Sequence, residues 1–327
     1  MRIVSFLPTG TEMLYALGLG GSVVGRSQHC IYPPQVKSKP VVVSSRVKKI
    51  AAQDSLAIHK TVLKLREQNA HQFEINLPLL KRLKPDLVIT QNLCSVCAAS
   101  HDEVAEALQH LSPKPKVITL RAQKLSEVIG EIERLGAATG RKAAAARLAG
   151  NLRRRLEVVR KRVSKLPRPR VWCCEWLEPP MAAGHWVPEQ VEWAGGTDAL
   201  GIAGKNSRWL KWEEVRAYDP EVILVMPCSY TIRQTLQEKH RLTSRPGWKN
   251  LSAVKNGWVY AVAGEFFHHA GPRLINGVEL LAGLLHPGVP YKFPRSRSMH
   301  LSAPPPLSRN SDTSTGNGIT PLARTCS

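Results

Sequence analysis

The chain has 327 residues, of which 43% are hydrophobic and 22% charged, with a formal net charge of +21 at neutral pH. Such a length and apolar content exclude a disordered or fibrous chain and allow two modest domains with cores of their own. The charge points to an anionic partner such as a nucleic acid or membrane surface, while seven scattered cysteines exclude a disulfide scaffold and the lack of any run of about 18 apolar residues excludes a membrane-spanning helix.

Ile3–Leu7 reads as a first β-strand and Thr11–Leu17 as a helix, with Thr11 placed as its cap and Gly18, Gly20 and Gly21 ending it. Val23–Gly25 and Val41–Val43 are short strands. Leu77–Leu83 is helical and leads through Lys84-Pro85-Asp86 into the buried strand Leu87–Thr90. Glu103–His110 is a helix and Lys116–Leu120 a strand. This alternation predicts a mainly parallel sheet wrapped by helices. Met1-Arg2 runs straight into the first strand, which Pro8 stops, unlike a signal peptide with a basic start, about 7–15 apolar residues and a cleavage site. As written, the chain is expected in the cytoplasm; a start lying upstream would place it outside.

Ser126–Lys165 is rich in Ala, Leu, Glu, Lys and Arg, lacks proline and predicts one or two long helices. From Arg141 to Arg170 stand twelve Lys or Arg and one acid, Glu157, which fits a solvated helix face or a nucleic-acid contact. No aromatic residue interrupts the run up to Lys165, so base stacking is not offered there and no specific nucleic acid is expected. The strand–helix alternation then restarts: strand Arg170–Cys174, helix Pro188–Trp193, helix Trp212–Ala217, strand Val222–Met226, helix Ile232–Lys239, strand Trp258–Val262 and helix Pro272–Leu285. "LKPDLVIT" in the first half parallels "YDPEVILV" in the second, which predicts two similar lobes. From 289 onward Ser, Pro, Thr, Arg and Asn dominate, and the segment is expected to be disordered.

Several stretches carry candidate chemistry. Pro8-Thr9-Gly10-Thr11 stands at a strand end before a helix, where backbone N–H groups meet polar ligands; the same pattern fits an ordinary strand-to-helix turn. Cys94 and Cys97 form a CxxC with no second pair at zinc spacing, leaving a redox pair or two small loop residues. "CCEWLEPPMAAGHWVPEQ" surrounds a double proline with Trp176, Met181, His185 and Trp186, which suits a large, flat, partly apolar ligand or a packing loop. Glu265, Phe267, His268 and His269 form its counterpart before the last helix. No motif demands catalysis.

The strings "RIVSFLPTGTEMLYALGLG", "YPP", "LKPDLVITQNLCSVCA", "EWLEPPMAAGHWVPEQVEWAGG", "DPEVILVMPC", "RPGW" and "GPRLINGVELLAGLLHP" resemble the cobalamin-binding proteins that act as substrate-binding components of ABC importers. The wider superfamily includes siderophore, haem and metal receptors, and the resemblance runs in order over nearly all of residues 2–287. It implies an α/β fold of the class III periplasmic-binding-protein type, with two lobes joined by a long rigid backbone helix. The expected division is 1–125, a bridging helical segment 126–168, a second lobe 169–288 and a tail 289–327.

The resemblance further implies non-enzymatic binding of a corrinoid, with no cofactor or metal required, by a monomer that engages an ABC permease. By position the ligand-binding set is Pro8, Thr9, His29, Cys30, Phe73, Gln91, Trp176, Met181, His185, Trp186, Trp209, Glu265, Phe267, His268 and His269. Where the cysteine-containing branch has "HECDYP", this chain has Gln28-His29-Cys30-Ile31-Tyr32-Pro33. Docking on a permease uses one acid per lobe. Glu213 matches the second-lobe position, whereas the first-lobe position reads Pro78, with Glu74 expected one helical turn away. A siderophore, haem or metal receptor of the same fold, and a redox protein using Cys94 and Cys97, remain the alternatives.

Overall fold

The computed structural model of the chain describes residues 1–47, 54–68, 70–92, 101–291 and 293–301. Among them run two six-stranded sheets. The first contains β1 (Ile3–Ser5), β2 (Val23–Ser27), β3 (Val41–Ser45), β4 (Phe73–Ile75), β5 (Leu87–Gln91) and β6 (Lys116–Leu120). Its order is β4-β3-β2-β1-β5-β6, parallel throughout except for the antiparallel β3–β4 pair. Strand β1 is buried along its whole length and β5 over its first four residues, as central parallel strands covered on both faces must be. Around this sheet stand α1 (Pro8–Ala16), α2 (Ser55–Glu67), α3 (Leu77–Leu83) and α4 (His101–Gln109).

Helix α1 starts earlier than its sequence suggests. Pro8 occupies the first turn, where its missing N–H costs nothing, so Thr11 lies inside the helix, fully buried, and is no cap.

The bridging segment is a pair of helices, α5 (Leu125–Ala138) and α6 (Lys142–Val163), with Gly140 at φ 71° turning the chain between them. Helix α6 buries Ala145, Ala149, Leu152, Leu156, Val159 and Val163, a stripe at helical period. Each Leu or Val so buried contributes about 1.5–3 kcal/mol. The stripe packs against α5 and, in the second lobe, against α7 (Val187–Trp193) and α10 (Leu274–Leu285). One hydrophobic core runs from Ile3, Leu7 and Leu14 through this helix pair to Val171, Val222 and Leu274, so the two lobes share a packed spine.

The second sheet comprises β7 (Val171–Trp176), β8 (Met181–Ala182), β9 (Arg208–Trp209), β10 (Val222–Val225), β11 (Val259–Val262) and β12 (Ser298–His300), in the order β12-β11-β10-β7-β8-β9. Its centre, β7–β10–β11, is parallel, and antiparallel strands flank it on both sides. Helices α8 (Trp212–Tyr218) and α9 (Ile232–Gln237) and the single turns His240–Thr243 and Ser252–Lys255 also belong to this lobe.

Two further expectations need correction. Residues 298–300 pair with β11 and Leu301 is 2% exposed, so the expectation of disorder from 289 onward fails over 298–301: an edge strand is ordered by main-chain hydrogen bonds that composition does not report. Glu74 lies on strand β4, and Pro78 stands in the first turn of helix α3 after it, so Glu74 is not one helical turn from Pro78. The CxxC at Cys94 and Cys97 and the chain beyond 301 lie outside the described residues.

Candidate functional site

In the first sheet the chain leaves β1 toward β2 on one side and returns through β5 on the other, which makes the carboxyl ends of β1 and β5 a topological switch point. Helix α1 begins there, with Pro8 and Thr9 in its first turn, and Gln91 closes β5, half-buried. In the second sheet the carboxyl ends of β7, β10 and β11 carry Trp176, Met226 and the loop 263–273. Side-chain contacts show that these two sets of strand ends face each other.

The inner contact centres on Glu12. This carboxylate is 4% exposed and accepts hydrogen bonds at 2.6 and 2.9 Å from the Arg273 guanidinium of the other lobe, with His269 Nδ1 at 3.1 Å. Burial pushes its pKa up, but the bonds and charges of His269 and Arg273 outweigh that and hold it below the usual carboxylate range. The guanidinium also lies 4.0 Å from the ring centroid of Tyr32, a first-lobe residue 43% exposed. Gly271 allows this approach, because a Cβ there would stand 3.1 Å from Glu12 Oε2.

The outer contact is made by the start of α2. Ser55 donates through its N–H at 2.9 Å and its hydroxyl at 2.5 Å to Glu238 Oε2, a carboxylate that also accepts from Tyr230 at 2.7 Å. Asp54, the N-cap of α2, pairs with Arg241 at 2.6 Å. The indole N–H of Trp176 donates to the Ser55 carbonyl at 3.2 Å while its ring meets Tyr230 edge-on at 5.6 Å. His59 of α2 stands edge-on to Trp209 at 4.8 Å. The lobes thus meet through buried polar groups at α1 and through a polar and aromatic rim at α2.

Of the residues singled out from sequence, Trp176, Met181 and Trp209 lie together on the rim of the second lobe. Trp176 pairs in register with Met181, and Met181 with Trp209. The loop between β7 and β8 is tied down by a 2.8 Å ion pair from Arg245 to Glu178. His269 lies at the inner contact. His29 is half-buried beside Gln28 and edge-on to Phe73 at 6.4 Å. Glu265 is paired with Arg297 and stands 3.9 Å from Arg273.

Others are core rather than cleft. Phe267 is fully buried, and Trp186, 6% exposed, donates its indole N–H at 2.6 Å to the Phe267 carbonyl within the same lobe. Phe73 is 4% exposed in the first-lobe core, and Cys30 is fully buried, its thiol pushed up to about 11 by burial. His185, at φ 53°, stacks on Trp186, and burial lowers its pKa. His268 is held by the Met226 carbonyl at 2.5 Å. An apolar or aromatic side chain near a strand end serves packing as readily as binding, and the local sequence does not separate the two.

Sequence reasoning missed Glu12, Tyr32, Asp54, Ser55, Glu238, Arg241 and Arg273. Their available signal was position: Glu12 follows the strand-end turn at Pro8, and Arg273 follows the Gly271-Pro272 helix start. Glu213, one of the two acids considered for docking, is exposed in the first turn of α8. Among the described residues no group of three or more His, Cys, Asp or Glu side chains is arranged to hold a metal ion, and no helix is long and apolar enough to cross a membrane. Burial also pushes the thiols of Cys173 and Cys174 up, which makes them poor nucleophiles.

A family model described as periplasmic binding protein matches residues 3–265. The chain is 28% identical over 291 residues to an uncharacterised ABC transporter substrate-binding lipoprotein, YvrC, of Bacillus subtilis, covering 88% of this chain and 80% of that one. It is 25% identical over 282 residues to a vitamin B12-binding protein of Vibrio cholerae, covering 85% and 86%. Its fold is similar to that of a periplasmic haem-binding protein from Pseudomonas aeruginosa, with a TM-score of 0.68 at 17% identity, over 90% of this chain and 95% of that one.

Proposed function

Since the chain belongs to the periplasmic binding protein family, we propose that it is a non-enzymatic receptor that holds a corrinoid between its two lobes and delivers it, as a monomer, to an ABC permease. The observation that carries this reading is the convergence of both sets of strand ends on the seam between the lobes, with Trp176, Met181 and Trp209 forming an apolar lip on the second lobe. Indoles and a thioether cover the face of a macrocycle, while Tyr32, Tyr230 and Gln91 offer hydrogen bonds to its amide edge. The likeness to a vitamin B12-binding protein over 86% of that protein's length supports the ligand class. The shared core behind the cleft supports lobes that move little on binding.

A haem is the second reading, favoured by imidazoles that reach the cleft from both lobes, His59 from α2 and His269 from the inner contact. Exposed Glu213 is the second-lobe docking acid in this reading, with Glu74 on β4 as its first-lobe counterpart. Such a receptor works outside the cytoplasmic membrane.

Isothermal titration with cyanocobalamin, haemin and zinc in parallel tests the reading. Cyanocobalamin should bind one-to-one at micromolar affinity or better. Heat from haemin alone would replace the corrinoid by haem, and heat from none of the three would remove the receptor reading.

A further inference from the structure

Helix α6 carries the densest charge in the chain, and the structure sorts that charge by face. Apart from exposed Lys142 at its start, the cations on its flanks are answered. Arg153 forms a bidentate pair with Glu133 at 2.8 and 2.9 Å, and Arg155 binds Glu279 and Asn276, both at 2.7 Å. Arg160 pairs with Glu157 and lies over the Trp193 ring, while Arg162 lies over the Tyr291 ring. Arg147, Arg154 and Lys161 are exposed, and their side chains make no hydrogen bond, ion pair or ring contact among the described residues.

These three stand seven residues apart, so they form one row along the helix. They follow the buried Ala145, Leu152 and Val159 by two positions each, about 200° around the axis, which turns the row directly away from the core. The row is roughly 21 Å long at 1.5 Å per residue, and exposed Lys165 extends it. Val158, 40% exposed, and Leu166, 36% exposed, stand beside it. Solubility is served by mixed charge and does not require a row of one sign. A straight, unpaired cationic row with isolated apolar side chains matches a flat anionic surface, which attracts each basic side chain and admits short apolar groups at its headgroup level. The run from Arg141 to Lys165 has no aromatic residue on which a base could stack.

We infer that the outer face of α6 is a docking surface for an anionic lipid bilayer. Contact through this face leaves the cleft residues untouched, so it is independent of which ligand the cleft takes.

The test is co-sedimentation of the full chain with vesicles of phosphatidylglycerol and phosphatidylcholine, against vesicles of phosphatidylcholine alone. The wild type should bind the anionic vesicles only, and raising the salt should release it. A variant combining Arg147→Glu, Arg154→Glu and Lys161→Glu should lose roughly a hundredfold or more in binding with an unchanged thermal melt, since all three positions are exposed. A control with the same charge change elsewhere, Lys37→Glu, Lys64→Glu and Arg82→Glu, should retain most of it. Equal binding by wild type and row variant, equal loss in the control, or no binding to either vesicle overturns the inference. A single-stranded oligonucleotide that displaces the protein from vesicles at lower concentration than free lipid does would overturn it too, assigning the row to nucleic acid.

Discussion

Replacing Glu12 by alanine should cost about 3–5 kcal/mol of folding stability in urea denaturation, because it strands one half of a buried charge pair. Glu12 is 4% exposed, and its two oxygens satisfy Arg273 and His269 together. Without it, the Arg273 side chain, 11% exposed, keeps the Tyr32 ring and, among the described carboxylates, Glu265 at 3.9 Å, which is already engaged by Arg297. Glu12→Gln keeps the shape and one acceptor and should lose less. The pH dependence follows from the direction of the shift. The folded pKa lies below the unfolded value of about 4.3, so the contribution of Glu12 is complete above that value and disappears as the pH falls through the lower, folded pKa. The stability of the wild type should therefore fall more steeply in acid than that of Glu12→Gln. Equal stabilities at neutral pH would show that the inner contact between the lobes is not formed.

The second large effect is on binding. Trp176→Ala should weaken cyanocobalamin binding roughly ten- to a hundredfold, equivalent to about 1.4–2.8 kcal/mol. Trp176 ends a central strand, is half-buried, and stands beside Met181 on a loop fixed by Pro179, Pro180 and the Arg245–Glu178 ion pair. A rigid loop loses little freedom when it clamps a ligand, so its apolar contact registers in the affinity. Trp176→Phe separates the two roles of the indole. It keeps an aromatic face but removes the donor to the Ser55 carbonyl, a change worth about 1 kcal/mol, or roughly fivefold. Unchanged affinity in Trp176→Ala would reduce this loop to a packing element.

What the sequence discloses divides along physical lines. Runs such as Leu87–Ile89 and Val222–Val225 are apolar because helices cover both faces of the sheet, so the central strands and the βα order were legible. Strands β8, β9 and β12 have two or three residues each and owe their order to main-chain pairing with a neighbour, which leaves no periodicity to read. Helix α2 was missed for a related reason: it buries only Ser55, Val62 and Leu65, and its polar remainder hides the amphipathic pattern.

At the cleft, Trp176 and Met181 were legible as aromatic and thioether groups at a strand end. Trp186 and Phe267 are chemically the same kind of residue, yet they turn inward. The polar contacts between the lobes escaped because their halves lie far apart in sequence: Ser55 and Glu238 are separated by 183 positions, Glu12 and Arg273 by 261. No local pattern announces such a pair. Only the fold brings the members together.

The claim that a ligand sits between the lobes, in contact with both, is tested most directly by hydrogen–deuterium exchange with and without cyanocobalamin. Protection should appear together in peptides covering 8–15 and 28–33 of the first lobe and 175–182 and 264–273 of the second, while the exchange of α6 stays unchanged. Protection confined to one lobe, or centred on α6, would contradict it.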